Sequence, residues 1–337
     1  MKDSHISLAH GNGGSYMREL IETLFNRHLG NSNLDINSDA ACINLLPGEL
    51  VVTTDGFTVD PLEFPGGNIG TLAVHGTIND LAVMGAYPKH FTLSVFVEEG
   101  FNISVLDRII ESFALTAKET GTTVITGDTK VLRRGEGGGI YLSVTGIGIR
   151  PQGVQLGFNE VKPGDTILVS GPVGDHGVAI MLAREQFGFR GKLKSDAASI
   201  QPLTEVLLEL ACVRFMRDPT RGGLATVANE IVRGTGFDVS LNETNIPVRD
   251  SVYTVCDALG YDPLYLACEG RVVAVVSPEK AEKALSCWQA LPSGKEAAII
   301  GTISQNRAPQ PYVTLKTTLG GERILAELSD DPLPRIC

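Results

Sequence analysis

Apolar residues at Met17, Leu20, Ile21, Leu24 and Phe25 recur at helical spacing, so 15–29 is predicted to be a helix packing one face on a core. Beyond residue 36 the period changes. LVVTT at 50–54, FTLSVFV at 91–97, TTVIT at 122–126 and IYLSVTGIGI at 140–149 read as strands. SDAACINLL, opened by Asp39, reads as a shorter one. TLAVHGTINDLAVMGA at 71–86 reads as a helix stopped by Gly85, with Pro88 beyond. NISVLDRIIESFALTAKET reads as a second helix, with Leu106, Ile109, Ile110, Phe113 and Ala117 on one stripe. Ser104 and Asp107 have the spacing of a capping box at its start.

The pattern pauses at Arg150-Pro151-Gln152-Gly153, which reads as a boundary. The second half opens with the strand TILVSG and a helix from about 175 to 187. Another helix carries Leu203, Val206, Leu207, Leu210 and Ala211 on one face. Strands are predicted near 237–241, 271–276, 297–303 and 312–317, with helices between some of them. The expected organisation is an N-terminal segment and helix over 1–35, mixed α/β domains over 36–150 and 151–328, and a tail over 329–337. The pattern leaves the strand order open.

Composition narrows the function classes. A formal net charge of -11 over 337 residues disfavours a nucleic-acid partner, which calls for a basic face. No apolar run approaches the roughly 18 residues of a membrane span. The opening MKDSHISLAHGNGG lacks the apolar stretch of a signal peptide. A cytoplasmic protein is expected. Six cysteines, at 42, 212, 256, 268, 287 and 337, form no CxxC pair and show no zinc spacing, so reduced thiols are expected. The first five read as ordinary buried or half-buried thiols.

Candidate chemistry gathers on four aspartates. Asp39 opens a strand, Asp55 ends LVVTT, Asp80 sits in Asn79-Asp80-Leu81-Ala82, and Asp128 follows VIT and a glycine. Each alone reads as a turn or cap acid. Converging, they would hold Mg²⁺ against phosphate oxygens. Three glycine-rich turns could meet those phosphates: His10-Gly11-Asn12-Gly13-Gly14, Gly127-Asp128-Thr129-Lys130 and Asp218-Pro219-Thr220-Arg221-Gly222-Gly223. Arg221 either reaches phosphate or caps the helix that follows. Neither a Walker A pattern nor a strand-linked GxGxxG is present.

SDAA, TTDG, NDLAVMGAYP, TGDTKV and DPTRGGLA, in that order, resemble the aminoimidazole-ribonucleotide synthetase-like (PurM-like) superfamily of ATP-using enzymes. With the opening HGNGG and the closing PRIC, the chain resembles the HypE carbamoyl dehydratases of [NiFe]-hydrogenase maturation, from about residue 8 to 337. The resemblance implies two mixed α/β domains, the first closing a β-barrel across a homodimer. It assigns Asp39, Asp55, Asp80 and Asp128 to metal and ATP. It assigns Gly11, Asn12, Gly13 and Gly14 to a lid over the nucleotide; Thr129 and Arg221, in the other two glycine-rich turns, are further candidates for the nucleotide site.

The same resemblance makes Cys337 a carrier thiol, loaded with a carbamoyl group by the carbamoyltransferase HypF. ATP then drives dehydration of the thiocarboxamide to a thiocyanate, and cyanide passes to iron on a HypC–HypD complex. Read from the residues alone, Lys130 is a solvated loop lysine and Glu269 a turn acid paired with Arg271. The resemblance makes them the base system for dehydration. Pro332 and Pro334 stiffen the tail, whose nine residues span about 28 Å at roughly 3.1 Å each. Such a tether suits a swinging arm.

Rival readings within the superfamily are selenophosphate synthetase, thiamine-monophosphate kinase and the purine enzyme. HGNGG lacks the reactive Cys or selenocysteine of the first, and the others have no use for PRIC. A further rival is a non-enzymatic carrier, with ATP controlling only the tail.

Overall fold

The computed structural model describes residues 3–328, apart from 13, 37, 39, 45–46, 185–190 and 307. The expectations for Gly13, Asp39, Cys337 and the 329–337 tail lie outside the described residues.

The predicted first helix is continuous but not uniform. α1 (Ser15–Leu20) and α2 (Asn26–Leu29) are joined by a π-helical stretch, Ile21–Phe25. The first sheet comprises β1 (Glu49–Phe57), β4 (Tyr87–Glu98), β5 (Thr123–Leu132) and β6 (Ile140–Arg150), in the order β1-β6-β4-β5. Between β1 and β4 lie a small hairpin, β2 (Glu63–Phe64) and β3 (Gly67–Asn68), and helix α3 (Ile69–Val83). Helix α4 (Ile103–Glu119) follows β4. Only β4 and β5 run parallel in this sheet.

The second sheet contains β7 (Thr166–Val169), β8 (Val213–Arg217), β9 (Asp238–Asn242), β10 (Val273–Val276), β11 (Ala298–Ser304), β12 (Val313–Lys316) and β13 (Glu322–Ile324). Its order is β13-β12-β9-β11-β7-β10-β8. Helices α5 (Asp175–Ala183), α6 (Gln201–Glu209), α7 (Gly223–Thr235), α8 (Asp250–Leu259) and α9 (Ala281–Gln289) connect these strands.

α3 binds the two halves together. Twelve of its fifteen residues are buried, so it lacks a polar face and must be enclosed by protein on every side. Its first turns pack with β4, β6 and α4. Its last turn, Ala82 and Val83, enters the core beneath the second sheet with Leu168, Leu203 and Trp288. The first core also draws Val178 and Ile180 from α5 and Val252 and Val255 from α8.

Several local expectations are corrected. α4 is capped by Asn102, whose side chain accepts from Ser104 N, while Asp107 pairs instead with Arg27 and His28. SDAACINLL forms no strand among its described residues. Gly127-Asp128-Thr129-Lys130 is not a turn but the middle of β5. A Cβ at Gly127 would lie 2.3 Å from Leu93 O, so this glycine serves close strand approach just past a register break. β8 and β13 were not foreseen. Cys42 is exposed, contrary to expectation, whereas Cys212, Cys256 and Cys268 are buried and Cys287 half-buried.

Candidate active site

The carboxylates gather where α3 meets the second domain. Asp80 Oδ2 accepts a hydrogen bond from Thr53 Oγ1 of β1 at 2.7 Å. Burial raises the pKa of Asp80, the Thr53 hydrogen bond opposes the rise, and the charge of Asp55 adds to it. Asp55 lies two residues beyond Thr53 on the same face of β1 and is exposed. Asp218, in the loop after β8, is only 8% exposed. Burial, reinforced by the charge of Asp80, pushes its carboxyl up to about 7. Glu269, shortly before β10, is 7% exposed. Burial, then Asp196, Asp218, Asp55 and Asp80, drive its pKa well above the ordinary carboxylate range.

Four segments distant in sequence thus share one electrostatic neighbourhood. DPTRGG explains part of the convergence. Gly222 and Gly223 have φ of +75° and +58°, and a Cβ on Gly223 would lie 2.5 Å from Leu266 O. Only a glycine lets α7 start hard against the 264–266 chain. That turn brings Asp218 under the Glu269 segment, where Cys268 N donates to Pro219 O at 3.0 Å. Arg221, in the same turn, is exposed.

β5 carries the other predicted residues, and here the four aspartates do not simply converge. Asp128 pairs with Ser94 of β4 and Lys130 with Phe96, whereas core-facing Val95 pairs with Thr129. Strand alternation therefore puts Asp128 and Lys130 on the outer face of the first sheet and Thr129 inward. Asp55 lies beside Val144, on the face covered by α3. One chain consequently presents Asp55 and Asp80 on one side of the sheet and Asp128 and Lys130 on the other.

The glycine-rich opening lies along β5. Leu8–Gly11 form a single 3₁₀ turn, and a Cβ on Gly11 would lie 2.7 Å from Val131 Cβ. His10 anchors the turn: it is 1% exposed, and its Nδ1 accepts from Ser7 N at 3.1 Å. Asn12 and Gly14 are exposed beyond it. Beside this segment a cleft of about 130 Å³, partly open to solvent, separates the first helix from the sheet. Met17, Ile21 and Phe25 form one wall, and Leu93, Val95 and 126–129 the other. The π-helical stretch supplies two of those apolar side chains.

Among the described residues, no three His, Cys, Asp or Glu side chains are placed to enclose a metal ion by themselves. The donor set still suits Mg²⁺. That ion is commonly held by one or two carboxylates together with phosphate oxygens and water. Asp80, Asp218 and Glu269 crowd together at a cost that a divalent cation would offset.

Asp218 and Asp196 were missed as site residues. Asp218 stood at the head of a turn already singled out, but only tertiary structure reveals its burial. Arg271 does not serve as the predicted partner of Glu269: it lies 3.7 Å from Asp175 Oδ2 and 3.5 Å from Asp196 Oδ2. Cys268 is packed. Its Sγ accepts from Gly174 N at 3.2 Å, and burial raises the thiol well above its ordinary pKa. His75 lies inside α3, where burial lowers it to about 4 and keeps it neutral.

Models of the AIR synthase related protein match this chain over 37–150 for the N-terminal domain and 162–313 for the C-terminal domain. The chain is 45% identical over 338 residues to carbamoyl dehydratase HypE of Azotobacter vinelandii, covering 100% of this chain and 98% of that relative. A crystal structure of hydrogenase maturation protein HypE in complex with ATP superposes with a TM-score of 0.93 at 42% identity, covering 98% of this chain and 99% of that one. A HypE–HypF complex matches with a TM-score of 0.79, also at 42% identity, over 90% of this chain and 98% of that chain.

Proposed function

Because the chain belongs to the HypE carbamoyl dehydratase family, within the AIR synthase related proteins, we propose that it serves hydrogenase maturation by ATP-dependent dehydration of a carbamoyl group on Cys337. The observation that carries this reading is the buried carboxylate cluster of Asp80, Asp218 and Glu269 at the domain junction. ATP is the co-substrate, HypF the carbamoyl donor and a HypC–HypD complex the acceptor of cyanide.

The chemistry balances as follows. The thiocarboxamide oxygen attacks the γ-phosphorus and ADP leaves. The oxygen then departs with phosphate as the C≡N bond forms. Both N–H protons are lost, one to solvent and one carried off with phosphate. Asp55, Asp80 and Asp218, with Asp39, and with Asp128 supplied like Lys130 by a second copy of the chain, would hold Mg²⁺, which would neutralise phosphate charge during transfer. Glu269 takes the nitrogen protons, helped by Lys130. As a base Glu269 must be ionised, a form that a divalent cation bound by the neighbouring carboxylates would favour. The apolar cleft beside the first helix suits an adenine ring, with Thr129 in its wall and Arg221 available to phosphate, and we assign the lid over it to the stretch Gly11, Asn12, Gly13 and Gly14.

Lys130 and Glu269 belong to opposite faces of the first sheet, so their joint action requires a second copy of the chain. Outer-face Leu50 and Val52 of edge strand β1 are 53% and 56% exposed, a surface suited to closing a barrel in a homodimer. Intact mass after HypF treatment tests the reading. The wild-type Cys337 peptide should gain a carbamoyl group and lose water on addition of ATP. Cys337→Ala should bind ATP yet gain nothing. Carbamoyl at normal yield on Cys42 or Cys287 would contradict it.

A further inference from the structure

Glu269 is gripped through its own peptide from two sides. Its N–H donates to Asp196 Oδ1 at 3.1 Å, and its carbonyl accepts from Asn79 Nδ2 at 2.9 Å. Asn79 is 1% exposed and spends its whole amide on this junction. Nδ2 also donates to Ala198 O at 3.1 Å, and Oδ1 accepts from Ile200 N at 3.0 Å. The adjoining Gly270 leaves no slack: a Cβ there would lie 1.9 Å from Asp196 O. Asp196 Oδ2 faces Arg271 Nε at 3.5 Å, an ion pair without hydrogen-bond alignment, while that Nε donates to Pro172 O at 2.9 Å.

We propose that Asn79 and Asp196 are positioning residues that fix Glu269 as the base, and that Asn79 couples it to the helix turn carrying Asp80. The proposal rests on the reading of Glu269 as the base. Adhesion between the halves does not need these bonds, because Ala82 and Val83 already bury α3 in the second core. Apolar packing holds α3 there without fixing the azimuth of a single turn. Directed hydrogen bonds do fix it. Asn79 thereby links two sites 190 residues apart in sequence. One helical turn then sets both the carboxylate facing the nucleotide and the base facing the amide.

The test follows conversion of carbamoylated full-length protein to thiocyanate by intact mass in a single turnover with ATP and Mg²⁺. Asn79→Ala should slow conversion by about 10–100-fold while ATP affinity changes by less than about threefold. In a Glu269→Gln background the same substitution should cost less than about twofold, because the base that Asn79 holds is gone and Asp80 keeps its own hydrogen bond from Thr53. Asp196→Asn keeps an acceptor for the Glu269 N–H and should retain most of the rate, whereas Asp196→Ala should not. An unchanged rate in Asn79→Ala, or an equal loss in both backgrounds, would overturn the proposal. Should Asn79→Ala not fold, the Asp196 pair decides, and equal rates for its two variants would overturn it. Full conversion by Glu269→Gln would overturn the base assignment itself and is recognisable as such.

Discussion

The two faces of the first sheet are built on opposite principles. Beneath the sheet, Asp80, Asn79, Asp218 and Glu269 are enclosed by α3 and the second domain, and hydrogen bonds from distant segments set their places. On the outer face, Asp128 and Lys130 stand exposed on an edge strand, in a sheet that also exposes Leu50, Val52 and Phe96. The enclosed side is finished by the chain alone and stores unfavourable charge. The outer side carries equally promising chemistry on a surface that a single chain leaves open. Proximity in a motif, as in Gly127-Asp128-Thr129-Lys130, is therefore a poor guide to which residues act in one site.

Substitution can break the enclosed side most severely. Asp80→Asn should reduce ATP turnover by about 100-fold or more, with the fold intact by circular dichroism. Normal turnover and nucleotide affinity would remove Asp80 from the site.

Asp218→Asn sharpens the contrast through stability. The folded-state pKa of Asp218 lies at about 7, above the ordinary value of 3.8, so the folded protein binds more protons than the unfolded chain between those values. Stability from this group is complete below about 4 and is lost as pH rises to about 7. In metal-free protein at pH 8, Asp218→Asn should thus be more stable than wild type by on the order of 2–4 kcal/mol. At pH 4 the two should nearly coincide. Denaturant melts at both pH values check this, and equal differences at both would show that ionisation of Asp218 costs nothing.

On the outer face the expected stability effects are small and the assembly effects large. Leu50→Asp should leave the monomer folded but shift the protein toward monomer in sedimentation. Lys130→Ala should alter unfolding free energy by no more than about 0.5 kcal/mol, as exposed side chains usually do. A loss of several kcal/mol would mean that Lys130 is structural.

How far the sequence discloses this arrangement depends on the range of the forces involved. The helices at 15–29 and 103–119 and the apolar middles of the long strands of the first sheet follow from apolar period. α3, buried all round, shows no such period and is marked instead by Gly85 and Pro88 beyond its end. β8 and β13 do not follow from period either, because RFMR and ERI are short and rich in charge. Gly127 was misread as turn punctuation because its reason, the approach of Leu93 O, lies on another strand. Asp55, Asp80 and Glu269 could be named from motifs, yet the burial that perturbs Asp218 and the clamp from Asn79 arise only when segments far apart in sequence meet.

The measurement that bears most directly on the two-faced site is complementation in mixed dimers. Lys130→Ala and Glu269→Gln chains, each expected to be nearly inactive alone, would be co-expressed in equal amounts. If each site takes its base from one copy and its lysine from the other, half the dimers are mixed and each mixed dimer holds one intact site. Dehydration should then return to about a quarter of the wild-type rate. No recovery in verified mixed dimers would place Lys130 and Glu269 in the same chain's site and contradict the account.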